Sequence, residues 1–336
     1  AILQGAGLDG REMSLAVGVI GTGVMGAEHA RLLREVTGGA HLAAVCDADE
    51  GRAKAAAHGA AVFTDAQALI ASDKVQAVVI ASPDATHAGY ALACVAAGKP
   101  VLCEKPIAAT AAEGLKIVEA EASLGRRLVT VGFMRRFDPG YAEMQAARLA
   151  GTVGVPVVLH NIHRNVAAPE WFTGAMALTN SLVHEIDISR WLLGSEMVSA
   201  QVTSAPGGDP MLVTMQTDRG EIVSTEIFVN AAYGYHVHAQ LVGRQGSIEM
   251  AAPTRVLVNH AATQSFVFPP NWVPRFAEGY RLQMQAWVDA QHDGLSVGAS
   301  AWDGFVTTSI AEQIVGALAS GDRINLTFPP RPSLYA

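Results

Sequence analysis

From residue 16 to about residue 137 the chain alternates short, nearly continuous apolar runs with alanine-rich stretches of helical composition. The runs cover 16–20, 41–47, 61–63, 77–82, 100–104 and 128–133. Hydrophobicity that is continuous rather than alternating marks strands covered on both faces. The strand–helix rhythm therefore predicts a doubly wound parallel sheet of six strands. Beyond residue 150 the pattern changes: runs at 198–204, 211–217, 222–230 and 236–242 are separated only by turns, which predicts an antiparallel sheet. Helices are expected at 180–193 and 276–292, and a last one at 305–319 is expected to pack back on the first domain. Met13 immediately precedes the first strand, so residues 1–12 are expected to be an upstream extension with no part in the fold.

A length of 336 residues, 50% hydrophobic and 16% charged with 33 glycines, suits a compact chain of two domains. The division expected is α/β, with a nucleotide-binding domain over 14–137 and an α+β domain over 138–336 that carries a large, mostly antiparallel open sheet. A net charge of -8 without any basic run argues against nucleic acid as a partner. Cys46, Cys94 and Cys103 lack metal-type spacing and are too few for a disulfide framework, so they read as buried thiols in a reducing, cytoplasmic compartment. No apolar stretch reaches the ~20 residues of a membrane span. Neither a metal nor a membrane partner is expected.

The first strand runs into Gly21-Thr-Gly23-Val24-Met25-Gly26, three glycines at dinucleotide spacing between a strand and a helix. In a Rossmann domain the first glycine makes the tight turn, the second admits the pyrophosphate and the third allows close helix packing. Val24 and Met25 are counted with the glycines as cofactor contacts. Asp47 ends the second strand, where a carboxylate receives the ribose hydroxyls and repels a 2′-phosphate, so NAD is the expected cofactor. Asp49 reads as the cap of the following helix, and Arg52 keeps an NADP alternative open.

Cys103-Glu104-Lys105-Pro106 closes the fifth strand, at its carboxyl end, where ligands of open parallel sheets collect. Lys105 is thereby placed beside the nicotinamide. This segment resembles the Glu-Lys-Pro signature of the Gfo/Idh/MocA oxidoreductase family, whose lysine contacts the reacting hydroxyl. The resemblance extends from Leu15 onward and includes Ser82-Pro83-Asp-Ala-Thr-His87, similar to the family's cofactor-flanking loop. Gly132 to Asp138, Val183-His184-Glu-Ile-Asp187 and Ser300 to Gly304 resemble the inositol dehydrogenase branch in particular.

Asn180, His184 and Asp187 stand at i, i+4 and i+7, on one stripe of the predicted helix. By spacing alone the stripe is either a solvated face or a site. The resemblance makes His184 the general base and Lys105 the group that stabilises the developing alkoxide, with Glu104 expected to hold the lysine. It also exposes a departure: the branch carries aspartate where this chain has Asn180. An amide can orient the imidazole but adds no charge to it, which implies a weaker base, a shifted pH optimum or a different polyol.

His163 and Asn165 project from one face if 162–165 is a strand, and the resemblance turns that face toward the polyol. Tyr235 and Arg135 are further substrate contacts that it implies, and Asp187 is counted with them. Neutral donors and acceptors suit a ring of hydroxyls; a phosphate would call for more cations than the Arg135–Arg136 pair. Trp272 and Arg275 read either as a cover for the nicotinamide or as packing, and His236 and His238 as structural.

The leading expectation is NAD-dependent oxidation of myo-inositol to its 2-keto product. An aldose, glycoside or scyllo-inositol dehydrogenase of the same family is the enzymatic alternative. A non-catalytic NAD-binding sensor is the alternative that the loss of aspartate at Asn180 keeps open. An apolar face on the second sheet implies a homo-oligomer, and the family resemblance implies a tetramer.

Overall fold

The computed structural model describes residues 14–252 and 256–336, so the expectation for residues 1–12 lies outside the described residues. The first half builds six parallel strands: β1 (Leu15–Ile20), β2 (Ala40–Cys46), β3 (Ala61–Phe63), β4 (Ala77–Ile80), β5 (Val101–Cys103) and β6 (Val129–Val131). They are ordered β3-β2-β1-β4-β5-β6. The order reverses between β1 and β4, which opens a crevice at the carboxyl ends of those strands. Val17, Val19, Val78, Val79, Ile80 and Val101 are wholly buried, as continuous apolar runs require of strands covered on both faces.

Helices α1 (Val24–Glu35), α2 (Glu50–Ala57), α3 (Ala66–Ala71), α4 (Asp84–Ala96) and α5 (Ala111–Leu124) cover that sheet. Their starts are written in short polar side chains: Asp49 accepts from the Arg52 amide, Asp65 from that of Gln67 and Thr110 from that of Glu113. After β6 the chain makes a 3₁₀ turn (Met134–Phe137) and then α6 (Pro139–Leu149), a helix the hydrophobic pattern did not announce. Pro139 at its first position is the local signal that marks it.

The second sheet contains β7 (Pro156–Arg164), β8 (Met197–Ser204), β9 (Met211–Thr217), β10 (Ile222–Phe228), β11 (His236–Gly243) and β12 (Ser247–Glu249). A hairpin, β13 (Val258–His260) with β14 (Thr263–Ser265), stands apart. Two late strands extend the two large sheets: β15 (Ala299–Ser300) pairs antiparallel with β6, and β16 (Ile324–Asn325) with β8. The second sheet is ordered β12-β11-β7-β10-β9-β8-β16, and its pairs are antiparallel except β7 with β10. Its covered face buries Leu159, Asn161 and His163 at alternate positions of β7. Its open face is less apolar than expected: Val198, Leu212 and Ile222 are exposed, but His160, Gln201 and Thr214 are too.

One covering helix begins earlier than the pattern suggested. It opens as α7 (Gly174–Met176), with the Thr173 hydroxyl accepting from the Met176 amide, widens into a π turn (Ala177–Leu182) and continues as α8 (Val183–Leu193). Farther on come α9 (Trp272–Arg275), α10 (Ala277–His292) and α11 (Ala301–Ala317). α11 starts ahead of the expected residue 305 because Ser300 and Asp303 form a reciprocal capping box. It lies against α5, and a side chain at Gly304 would meet Ile107 and Val131 at 3.0 Å. The carboxyl end is pinned to the first half: the Tyr335 hydroxyl donates to the buried Glu121 carboxylate at 2.6 Å. Among the described residues no helix is long and apolar enough to cross a membrane.

Candidate active site

The glycine turn separates packing from binding. Gly21 has φ of +85°, and a Cβ there would lie 2.5 Å from the Ser82 amide nitrogen. A Cβ at Gly26 would lie 1.7 Å from the Gly21 carbonyl oxygen. Among the described residues a Cβ at Gly23 would meet nothing within 4 Å, and no side chain caps the amides of α1 that follow. Space and free N–H groups at one helix start fit a pyrophosphate. Met25 faces the cavity described below, whereas Val24 is 70% exposed and lies outside its lining.

Asp47 follows β2 with both oxygens engaged. Oδ2 accepts from the Thr22 amide (2.8 Å) and hydroxyl (3.0 Å); Oδ1 accepts from the Asp49 amide and the Arg52 guanidinium, each at 2.9 Å. Burial opposes its ionisation, but the bonds from Arg52, Thr22 and Asp49 prevail and hold it well below the usual carboxylate range. Arg52 is thus tied to the carboxylate instead of standing free for a 2′-phosphate, and Asp49 caps α2 as expected.

A cavity of about 320 Å³ opens between the carboxyl ends of β4 and β5 and the covered face of the second sheet. Lys105, His184, Asn180, His163, Asn165 and Tyr235 all line it, and Met25, Ser82, His87 and Glu104 join them from the cofactor side. His87 staples this edge, its ring nitrogens 2.8 Å from the Ser82 carbonyl oxygen and 2.7 Å from that of Pro106. Pro83 immediately precedes α4 and is not part of the lining.

Lys105 enters from the end of β5, and its ammonium donates to the Asn180 carbonyl at 3.2 Å. Burial lowers its pKa against the opposing charges of Glu104 and Asp84. Glu104 acts differently from the expectation: one carboxylate oxygen is 2.8 Å from His29 Nε2, and the other accepts from the Lys105 backbone amide at 3.3 Å. It fixes the lysine's main chain rather than its ammonium. Despite its own burial, His29 and Lys105 keep the carboxyl below its ordinary pKa.

His184 is buried, and among the described residues its Nδ1 has no hydrogen-bond partner, so Asn180 does not orient the ring in the way an amide four residues earlier could. Burial first, then the charges of Lys105, Arg135 and His163, drive its pKa well below 6.5, which leaves a neutral imidazole at the cavity wall. Asp187 departs from the expected stripe. The π turn, with its i→i+5 bonds, changes the angular spacing between residues 180 and 187. Asp187 instead accepts from Arg136 Nη2 at 2.6 Å and Nε at 3.0 Å, outside the cavity.

Arg135 also stands behind the wall rather than in it. It is 1% exposed, donates to the Glu185 carboxylate and lies 3.2 Å from His163 Nδ1. The guanidinium expected to touch substrate is instead consumed by a buried carboxylate, as its burial demands. His163 and Asn165 do face the cavity together; the Asn165 Oδ1 is a buried acceptor without a partner among the described residues. Trp272 lines the cavity at 39% exposure, whereas Arg275 donates to Asp138 at 2.8 Å and stacks on Phe276, outside it.

Phe172, Tyr280, Asp84 and Ser181 line the cavity without having been singled out in the sequence. Phe172 belongs to an aperiodic segment, and Tyr280 looks like any aromatic on an amphipathic helix. Ser181 was in reach, one residue from Asn180 in a segment already marked.

A family model described as the oxidoreductase family, NAD-binding Rossmann fold, matches residues 15–133, and the family's C-terminal alpha/beta domain matches 154–326. The chain is 47% identical to Inositol 2-dehydrogenase 1 of Saccharopolyspora erythraea, over 96% of this chain and 99% of that one. It is 41% identical to Inositol 2-dehydrogenase of Pseudomonas fluorescens, over 96% and 100% of the two chains. The fold superposes with a TM-score of 0.93 on the crystal structure of myo-inositol dehydrogenase from Lactobacillus casei in complex with NAD(H) and myo-inositol, at 30% identity, covering 96% of this chain and 100% of that one.

Proposed function

We infer, from the premise that the chain belongs to the Gfo/Idh/MocA oxidoreductase family, that it is an NAD-dependent dehydrogenase of inositol. The observation that carries this reading is one cavity holding a half-buried ammonium, Lys105, and a neutral imidazole, His184, beside a dinucleotide turn. NAD, when bound, supplies the acceptor for the hydride that leaves the carbinol carbon. The residues that would hold it are Gly21, Gly23 and Gly26 at the pyrophosphate, Asp47 at the ribose, and Met25, Ser82 and Glu104 near the nicotinamide.

His184 takes the proton of the reacting hydroxyl, for which its unprotonated state at neutral pH prepares it. Lys105 aims its ammonium at the oxygen on which negative charge grows, an interaction stronger in the transition state than in the ground state. Asn165, Asn180, His163 and Tyr235 offer the remaining donors and acceptors to the ring hydroxyls. Arg135 and Asp187 serve from behind, by pairing with Glu185 and Arg136.

The protein is proposed to work in the cytoplasm, in keeping with three buried and unpaired thiols, and as a homotetramer joined through the open face of the second sheet, where Leu212 and Ile222 are exposed. The activity is tested by NADH formation from myo-inositol, scyllo-inositol, glucose and glucose 6-phosphate, with NAD and NADP in parallel. Turnover of an inositol with NAD is the expected result. Activity on a sugar alone would make it an aldose dehydrogenase, and silence with intact NADH binding would make it a sensor.

A further inference from the structure

Of the three histidines that line the cavity, His163 and His184 stand side by side, and the buried carboxylate near them is paired with His163. His163 Nδ1 lies 2.9 Å from Glu185 Oε1, and Glu185 is wholly buried. His184 Nδ1 has no partner, and residue 180, which precedes it by one helical turn, is an amide. Oxidation of a hydroxyl releases a hydride, for which the cofactor accounts, and a proton. Once on His184, that proton makes a buried imidazolium that faces the cations Lys105 and Arg135 without a carboxylate in contact. His163 stands 6.4 Å away between ring centroids. One hydroxyl oxygen bonded to each ring at about 2.8 Å spans such a gap.

We propose that the His163–Glu185 pair is where this proton comes to rest: it leaves His184 through a neighbouring substrate hydroxyl and settles on His163, whose Nδ1–H the Glu185 carboxylate holds. The bonds balance. The O–H and C–H bonds of the reacting carbinol break, the C=O bond forms, the C–H electron pair departs as hydride, and the proton crosses the bridging hydroxyl to His163 Nε2. Glu185 touches no substrate and is a positioning residue; His163 is the proton's last holder before solvent.

The groups around His163 favour this order. It faces Glu185 and His184 from α8, Arg135 from the turn after β6, Lys105 from the end of β5 and Tyr235 from the approach to β11. Burial lowers its pKa and Arg135 and Lys105 add to that, while Glu185 works to raise it; at His184 burial, Lys105, Arg135 and His163 all lower it, with nothing to raise it. Arg135 lies 3.2 Å from His163 Nδ1 and by itself would favour the opposite tautomer. The carboxylate is nearer, at 2.9 Å, and is itself paired with Arg135; the proposed relay requires that it hold the Nδ1 proton, which leaves the Nε2 lone pair to receive the proton from the cavity.

The proposal rests on the dehydrogenase reading only for its bridging hydroxyl, so its first test needs no substrate. Long-range proton–nitrogen spectra are recorded on the full chain with nitrogen-labelled histidine and bound NADH. The two signals are identified by their loss in His163→Gln and His184→Gln. Neutral His163 should carry its proton on Nδ1 and gain the second at least about one pH unit above His184. A proton on Nε2, or a His184 that titrates at or above His163, overturns the proposal. In turnover, Glu185→Gln should lower kcat by about tenfold or more. That loss should shrink toward nothing in an Asn180→Asp background, where His184 has its own carboxylate. An equal loss in both backgrounds marks Glu185 as merely structural and overturns the proposal as well. If no polyol turns over, the dehydrogenase reading fails while the spectra still decide the pair, as they do if Glu185→Gln does not fold.

Discussion

Alanine at Gly23 should weaken cofactor binding while sparing the fold, whereas alanine at Gly26 should cost stability even without cofactor. Gly23 has φ of -68°, a value any L residue adopts, and its added methyl would meet nothing within 4 Å. Stability without cofactor should therefore stay within about 0.5 kcal/mol of the parent. The methyl instead fills the space into which the pyrophosphate must come to reach the amides of α1. Losing one charge-assisted hydrogen bond costs about 1.5–3 kcal/mol, which is roughly a 10- to 150-fold weaker Kd. At Gly26 the methyl lies 1.7 Å from a backbone oxygen, so the turn itself must shift. Overpacking of that kind costs about 1–3 kcal/mol of stability. Urea unfolding without cofactor and NADH fluorescence titration separate the two effects. A Gly23→Ala protein that binds NADH normally, or that loses as much stability as Gly26→Ala, would refute the assignment of this turn to the cofactor.

Other consequences follow from the same geometry. His184→Ala and Lys105→Ala should each lower kcat by about 10²–10⁴-fold with NADH affinity kept, as stopped-flow turnover and titration would show. Asp47→Ala removes the carboxylate and frees Arg52, so the ratio of kcat/KM for NADP over NAD should rise about tenfold or more; an unchanged ratio would remove Asp47 from cofactor selection. His163 and His184 both have folded-state pKa values below 6.5. Beneath that pH the unfolded chain takes up protons that the folded one refuses, so stability falls by up to about 1.4 kcal/mol per pH unit for each group until its folded pKa is reached. Urea midpoints measured between about pH 7 and pH 5 should show the decline, and His184→Gln should lessen it.

The two sheets were legible because their signals are local and repeated: continuous apolar runs for the covered parallel sheet, successive long runs for the antiparallel one. α6 was hidden because only Tyr141 and Met144 of its residues are buried, too few to mark a helical period, and the early start of α11 because Ser300 and Asp303 read equally well as loop polars until their reciprocal bonds are seen. Lys105, His184, His163, Asn165 and Tyr235 could be gathered from motif and strand alternation. Arg135 and Asp187 could not be sorted that way, since a charged residue beside a site and one behind it look alike until its partner is known. For both the partner lies some 50 residues away in sequence. The π turn is a further limit: a helical stripe drawn at regular spacing joined Asp187 to a face it does not share.

The central claim is direct transfer of hydrogen from an inositol carbon to NAD, and it is tested most directly with myo-inositol bearing deuterium at carbon 2. The account predicts that the enzyme forms NADH carrying one deuterium, visible by mass spectrometry, and that neither His184→Ala nor Lys105→Ala forms it at a comparable rate. Unlabelled NADH would place the reaction at another carbon, and no reduction of NAD by any inositol would contradict the account.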